Sequence, residues 1–227
     1  MLRLHIANKN YSSWSLRPWV LMRTLGIPFE ERLSPFESAG PSPSFRAFSP
    51  TGRVPCLIDG ETTVWDSLAI VEYLAEACPA VWPGEKRARA FARSAAAEMH
   101  SGFSALRNTC SMNCGVTVRL HEIPPALRGD IDRLAALWGE GLSRFGGPFL
   151  AGDAFTAVDA FYAPVAFRAR GYRLEFPGAA GAYVRRLLDL PAMREWHAAA
   201  LAETWREPGH EAEIAAVGTV IADDRAR

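Results

Sequence analysis

Residues 78–84, Cys78-Pro79-Ala80-Val81-Trp82-Pro83-Gly84, crowd two prolines and a glycine between stretches of different texture. Such a cluster continues neither a helix nor a central strand, so it divides the chain. Before it, short strand-like runs mix with two helical patterns; after it, almost every apolar run has helical spacing. This predicts an α/β domain over 1–78, a linker over 79–88 and an all-α domain over 89–227. The 227 residues fall between one domain and two at about 150 residues per domain. With 49% apolar and 22% charged residues, the chain can bury a core, unlike a disordered one.

In the first part, Leu2, Leu4 and Ile6 alternate with Arg3 and His5 as in a strand, and Asn8-Lys9-Asn10 turns the chain. A helix is expected from about Ser15 to Leu25, stopped by Gly26 in the left-handed conformation. Pro18 fits only its first turn, so the helix begins just before it, with Ser12 and Ser13 at its mouth. Residues 28–33 form a second, parallel strand, and a Pro/Ser-rich loop covers 34–50. Residues 54–58 and 62–65 make a hairpin around Asp59-Gly60, and a helix spans Ser67 to Ala77. The order β-α-β, loop, β-β-α is the thioredoxin-type arrangement. Beyond it, helices are expected near 85–110, 125–145, 157–170, 179–189 and 192–205. Thr156 and Asp159 form a capping box, and residues 208–227 are weakly patterned and partly mobile.

Lys+Arg and Asp+Glu are equal at 25 each, and residues 1–80 carry 7 basic and 8 acidic residues, leaving 18 and 17. Neither part has the excess that binds nucleic acid or an anionic membrane by bulk attraction. No apolar stretch approaches the roughly 20 residues of a membrane span, and no signal-peptide pattern follows Met1, which predicts a cytoplasmic protein. Four cysteines in such a chain read as reduced. No Cys-x-x-Cys follows the first strand, so dithiol exchange is excluded, and Cys56 reads as core filler. Cys110 and Cys114, one helical turn apart near His100 and His121, supply two ligands where a metal needs three or four, so no metal is expected. Phosphate loops, hydrolase elbows and dinucleotide fingerprints do not occur.

Several separated motifs together resemble the glutathione transferases. Ser49-Pro50-Thr51-Gly52-Arg53-Val54-Pro55 is similar to that family's N-P-x-G-x-V-P stretch, and Asp66 to Leu74 to its E-S-x-A-I-x-x-Y-L helix start. Thr156 to Asp159 matches its sixth-helix capping box, and Ser12-Ser13-Trp14-Ser15-Leu16-Arg17 resembles the zeta-class serine motif S-S-C-x-x-R. The resemblance covers about residues 1–205.

It implies a thioredoxin-like domain that binds glutathione as co-substrate, a helical domain that walls a second-substrate pocket, and a homodimer. Glutathione would lie against Arg53, Val54 and Pro55, with a cis Val54–Pro55 bond turning the Val54 backbone outward to pair with the tripeptide. Ser67 would hold the γ-glutamyl carboxylate at a helix N-terminus, with Asp66 near the α-ammonium. A hydroxyl donor and a helix dipole acting on one sulfur would stabilise the thiolate. The zeta register makes Ser12 that donor; Ser13 and Tyr11 remain alternatives. Trp14, His100, Phe103 and Arg107, with Met112, are candidates for the pocket of an electrophilic, hydrophobic second substrate. Trp14 stands where the zeta class has cysteine, so two readings remain beside transfer: a glutathione-dependent cis-trans isomerase of the maleylacetoacetate type, and a non-catalytic glutathione-binding protein.

Overall fold

A computed structural model describes residues 1–37 and 43–226. Of the expected 34–50 loop, residues 38–42 lie outside the described residues; Pro43–Ala47 form a 3-10 turn.

The first domain follows the expected order: β1 Leu2–Ile6, α1 Ser13–Thr24, β2 Phe29–Leu33, β3 Cys56–Asp59, β4 Thr62–Trp65 and α2 Ser67–Ala77. The strands form one sheet in the order β2-β1-β3-β4, with β1 parallel to β2 and the other pairs antiparallel. Asp59 pairs with Thr62, so the hairpin turn is centred on Gly60-Glu61, one residue later than expected. Gly60, at φ +58°, supplies the positive angle a primed turn requires at its first central position.

Helix α1 begins two residues earlier than the position of Pro18 suggests, because the Asn8 carbonyl accepts from the N–H groups of Tyr11 and Ser12 and fixes the turn there. Pro18 therefore lies inside the helix and leaves the Trp14 carbonyl without its helical donor. The far end is a Schellman motif: Ile27 N–H donates to Met22 O at 2.9 Å and Gly26 N–H to Arg23 O at 3.4 Å, with Gly26 at φ +67°. Gly26→Ala is expected to lower stability by about 1 kcal/mol, measured by urea unfolding, through backbone strain alone, since a Cβ there meets no atom within 4 Å.

The second domain contains α3 Lys86–Ser101, α4 Ser104–Thr109, α5 Pro125–Phe145, α6 Ala157–Gly171, α7 Gly178–Asp189, α8 Pro191–Ala202 and α9 Pro208–Val217. The expected 85–110 helix is broken at Gly102-Phe103, where Phe103 adopts φ +56°. Cys110 caps α4 and Cys114 lies beyond it, so the two are not stacked on one helical turn. A ribbon of β5 Val116–Leu120 and β6 Gly218–Asp223 is added to the helices. The expected mobile tail is instead α9 and β6, because Val116, Val118 and Leu120 alternate with Thr117 and Arg119 and offer that tail a strand to pair with.

Every residue of α6 except Arg170 is buried, so this helix is the hub of the molecule. Helix α1 packs against α6 and α8, with Trp19 and Trp196 edge to face at 5.1 Å. The turn before α1 is also held from the second domain. The buried Glu203 carboxylate accepts from the backbone N–H of Lys9 at 2.6 Å and of Asn10 at 3.2 Å, and Trp196 Nε1 donates to Lys9 O at 2.9 Å. Thus the helical domain sets where Ser12 and Ser13 stand.

Candidate active site

A groove runs along the C-terminal end of β1 and the start of α1 as two adjoining cavities. One, of about 340 Å³, is lined by Tyr11, Ser12 and Ser13 and by Phe36, Phe45, Met112 and Arg168 among others. The other, of about 360 Å³, is lined by Thr51, Pro55, Trp65, Asp66 and Ser67. Trp14, Arg53 and Val54 line both. The groove therefore joins the start of α2 to the start of α1, and all five residues expected to bind glutathione border it.

The Val54–Pro55 peptide is cis. Among the described residues, the Val54 backbone N–H and C=O enter no backbone hydrogen bond, so both are open to an extended ligand. Asp66, at φ +74°, caps α2 by accepting from Leu68 N–H at 2.8 Å. Its other carboxylate oxygen stands 3.5 Å from His100 Nε2. Ser67, fully buried, opens α2, where unpaired N–H groups and the helix dipole favour a carboxylate. Arg17 reinforces this: its buried guanidinium donates to Ser67 Oγ at 3.4 Å and stacks on Trp14 at 4.1 Å. Burial, with Arg107 and Arg168 nearby, pushes the Arg17 pKa well below its usual value.

At the other end, Ser12 is the N-cap residue of α1 and Ser13 its first helical residue; their N–H groups donate to Asn8 O and Tyr11 O, and those of Trp14 and Ser15 have no acceptor among the described residues. Ser12 Oγ donates to Ser15 Oγ at 2.7 Å, and Ser15 Oγ accepts from Ala7 N–H. The Ser13 hydroxyl has no partner among the described residues. Tyr11 is differently engaged. Its hydroxyl donates to Glu211 at 2.6 Å, and Arg225 anchors the same carboxylate. Burial, then the bond to Glu211, hold the Tyr11 pKa well above the usual phenol value.

The candidates for the second-substrate pocket are distributed unevenly. Trp14 and Met112 line the cavity of Ser12 and Ser13; His100, Phe103 and Arg107 line neither part of the groove. His100 packs its ring against the edge of Trp14 at 5.3 Å, and Phe103 is core. Arg107 donates to the Met99 and His100 carbonyls and so satisfies the C-terminal end of α3. The helical domain contributes Ser111, Arg168, His210 and Glu213 in their place. Arg168 had a signal in the sequence, a cation flanked by Phe167 and Ala169 at the end of the apolar run of α6; His210 and Glu213 arrive on α9, which residue pattern alone did not reveal. Cys110 and Cys114 are buried among other side chains, and burial pushes each thiol up to about 12, while Cys56 is pushed up to about 11. None of the three is poised as a nucleophile.

Residues 11–77 match the family description "Glutathione S-transferase, N-terminal domain", and residues 90–199 match "Glutathione S-transferase, C-terminal domain". The chain belongs to the glutathione S-transferase family. A zeta-class glutathione S-transferase of Euphorbia esula is 29% identical over 157 residues, 67% of this chain and 70% of that protein. Glutathione S-transferase 1 of Dianthus caryophyllus is 26% identical over 170 residues, 71% of this chain and 75% of that one. Among solved structures, a glutathione transferase homolog from Burkholderia gl BGR1 with bound glutathione superposes at TM-score 0.65 and 23% identity, covering 88% of this chain and 97% of its own. This transferase therefore has the family's thioredoxin-like and helical domains, and glutathione is its co-substrate. Among the described residues no helix is long and apolar enough to cross a membrane.

Proposed function

We propose that this transferase binds glutathione along the groove, γ-glutamyl end at Ser67 and sulfur at the N-terminus of α1, and joins the glutathionyl sulfur to an electrophilic second substrate held against α6 and α9. The carrying observation is that one groove joins a buried serine at a helix N-terminus to two more serines at another, with an open strand-like backbone at Val54 between them. Arg53, Val54 and Pro55 bound the cysteinyl segment, and Asp66 supplies a carboxylate for the α-ammonium.

A thiol of ordinary pKa, about 8.5, is mostly protonated at neutral pH, and hydrogen bonds to the anion lower that value. The zeta-like register favours Ser12 as donor, its hydroxyl turning from Ser15 to the sulfur. The hydrogen bonds favour Ser13, whose hydroxyl is uncommitted. Tyr11 is read as an anchor for α9, since its proton is given to Glu211. Tyr11→Phe should then leave the pKa of bound glutathione unchanged and lower stability by about 1 kcal/mol, measured by thermal unfolding. A rise in the bound thiol pKa to that of free glutathione would return Tyr11 to the catalytic role.

The reaction is tested by following glutathione and a chloronitroarene together. Equal loss of both, with release of chloride, is the expected result. Turnover of an unsaturated substrate without net loss of glutathione would favour the isomerase reading, and binding without turnover the non-catalytic one. A cytoplasmic homodimer completes the proposal, supported by the family resemblance.

A further inference from the structure

Arg168 is 5% exposed, on the last turns of the buried hub helix, yet it borders the cavity that Ser12 and Ser13 border. Its Nε donates to Cys110 O at 2.7 Å. Among the described residues its two terminal nitrogens have no acceptor, and no carboxylate forms an ion pair with it. The charges nearest in kind are more cations: Arg107 acts on it through space, and Arg17 lies behind Trp14. Burial, then Arg107, lower its pKa to about 10, so it still carries its charge at neutral pH. The acidic side chain that lines this cavity, Glu213, is exposed on α9, and Arg53 is exposed on the opposite domain. A buried, hydrogen-bonding cation without a counter-ion is costly unless something brings one. The remaining walls are largely aromatic or apolar: Trp14, Phe36, Phe45 and Met112.

We propose that the second substrate carries a carboxylate, bound by the two terminal nitrogens of Arg168, on an apolar body that lies against Trp14 and Met112. A planar guanidinium with one edge already fixed by Cys110 O presents its other nitrogens in the fork that matches a carboxylate. This rests on the reading of the groove as a glutathione transferase site, and it narrows the acceptor from any electrophile to an anionic one.

The test uses two matched pairs. The first, 4-nitrobenzoate and its methyl ester, is bound to the protein saturated with S-methylglutathione and measured by calorimetry. The carboxylate should bind about tenfold more tightly or better, the range of one charge-assisted pair. In Arg168→Met that preference should vanish or invert, and in Arg168→Lys it should survive in part. The second pair, 4-chloro-3-nitrobenzoate and its methyl ester, reports turnover. Glutathione sulfur forms a C–S bond at the chlorinated carbon, the C–Cl bond breaks, chloride leaves with the electron pair, and the thiol proton goes to solvent. The carboxylate should have the lower KM in the unaltered protein.

Equal or tighter binding of the neutral ester overturns the proposal, and needs no variant that might fail to fold. It is overturned equally if Arg168→Met weakens S-methylglutathione while leaving the carboxylate preference intact, which would assign the arginine to the tripeptide. Absence of turnover with both arenes, together with tight carboxylate binding, would sink the transferase reading and leave the anion site standing.

Discussion

Replacing Asp159 by alanine is expected to destabilise the protein by about 3–5 kcal/mol, read from denaturant unfolding, because it orphans several buried donors at once. The Asp159 carboxylate, fully buried at the start of α6, accepts from Leu150 N–H at 3.1 Å, Thr156 N–H at 3.0 Å and the Tyr183 hydroxyl at 2.8 Å. It thereby closes the capping box and ties α6 to the preceding loop and to α7. Since α6 is the hub on which α1 packs, loss of its first turn should also loosen the serines. Glutathione affinity should fall in parallel with stability. Burial raises the Asp159 pKa to about 6, against the pull of its donors. The folded protein then binds more protons here than the unfolded chain between about pH 4 and 6. This group's contribution to stability therefore grows as pH falls through that window and is smaller at pH 7. In Asp159→Ala that component of the pH dependence should disappear. A loss below about 1 kcal/mol would show that water or a shifted side chain takes over the donors.

Much of the α/β domain was legible because local chemistry determines it. Alternation marked β1, Asp59-Gly60 marked the hairpin to within one residue, and Gly26 marked the end of α1. These signals act over a few residues and need no partner. What was not legible depends on distant contacts. The start of α1 is set by Asn8 and by Glu203 and Trp196 from the other domain, which override the preference of Pro18 for a first turn. Residues 116–120 have a strand pattern, but a ribbon also requires β6, nearly a hundred residues away, and the tail has little pattern of its own.

For the site the division is similar. Residues in contiguous motifs, Ser12, Ser13, Arg53, Val54, Pro55, Asp66 and Ser67, were found as candidates and border one groove. Of the second-substrate candidates, Trp14 and Met112 border the groove and the other three do not. His100, Phe103 and Arg107 lie around the α3–α4 break, at Gly102 and the left-handed Phe103, while Arg168 of α6 and His210 and Glu213 of α9 reach the cavity. Sequence spacing shows which residues share a helix but not which helix end reaches the cavity.

The larger functional effect is expected at the serines. If Ser12 donates to the sulfur, Ser12→Ala should lower kcat/KM about 100-fold, the scale of losing one donor to a developing or resident anion, with the KM for glutathione changed far less. The binding contacts at Val54 and Ser67 remain, so the loss should appear in the chemical step. Ser13→Ala should then cost only a few-fold. If Ser13 is the donor the two magnitudes exchange, and the uncommitted hydroxyl seen beside the Ser12–Ser15 bond has identified it. Small effects in both single variants would assign activation to the α1 N-terminus alone, which the backbone N–H groups supply without either hydroxyl.

The central claim is that the start of α1 stabilises a thiolate. Its most direct measurement is the pKa of glutathione bound to the protein, followed by thiolate absorbance across pH. A value at least one unit below the roughly 8.5 of a free thiol, restored toward it by alanine at Ser12 or Ser13, is the expected result. A bound thiol that titrates with the pKa of free glutathione in the unaltered protein would contradict the account.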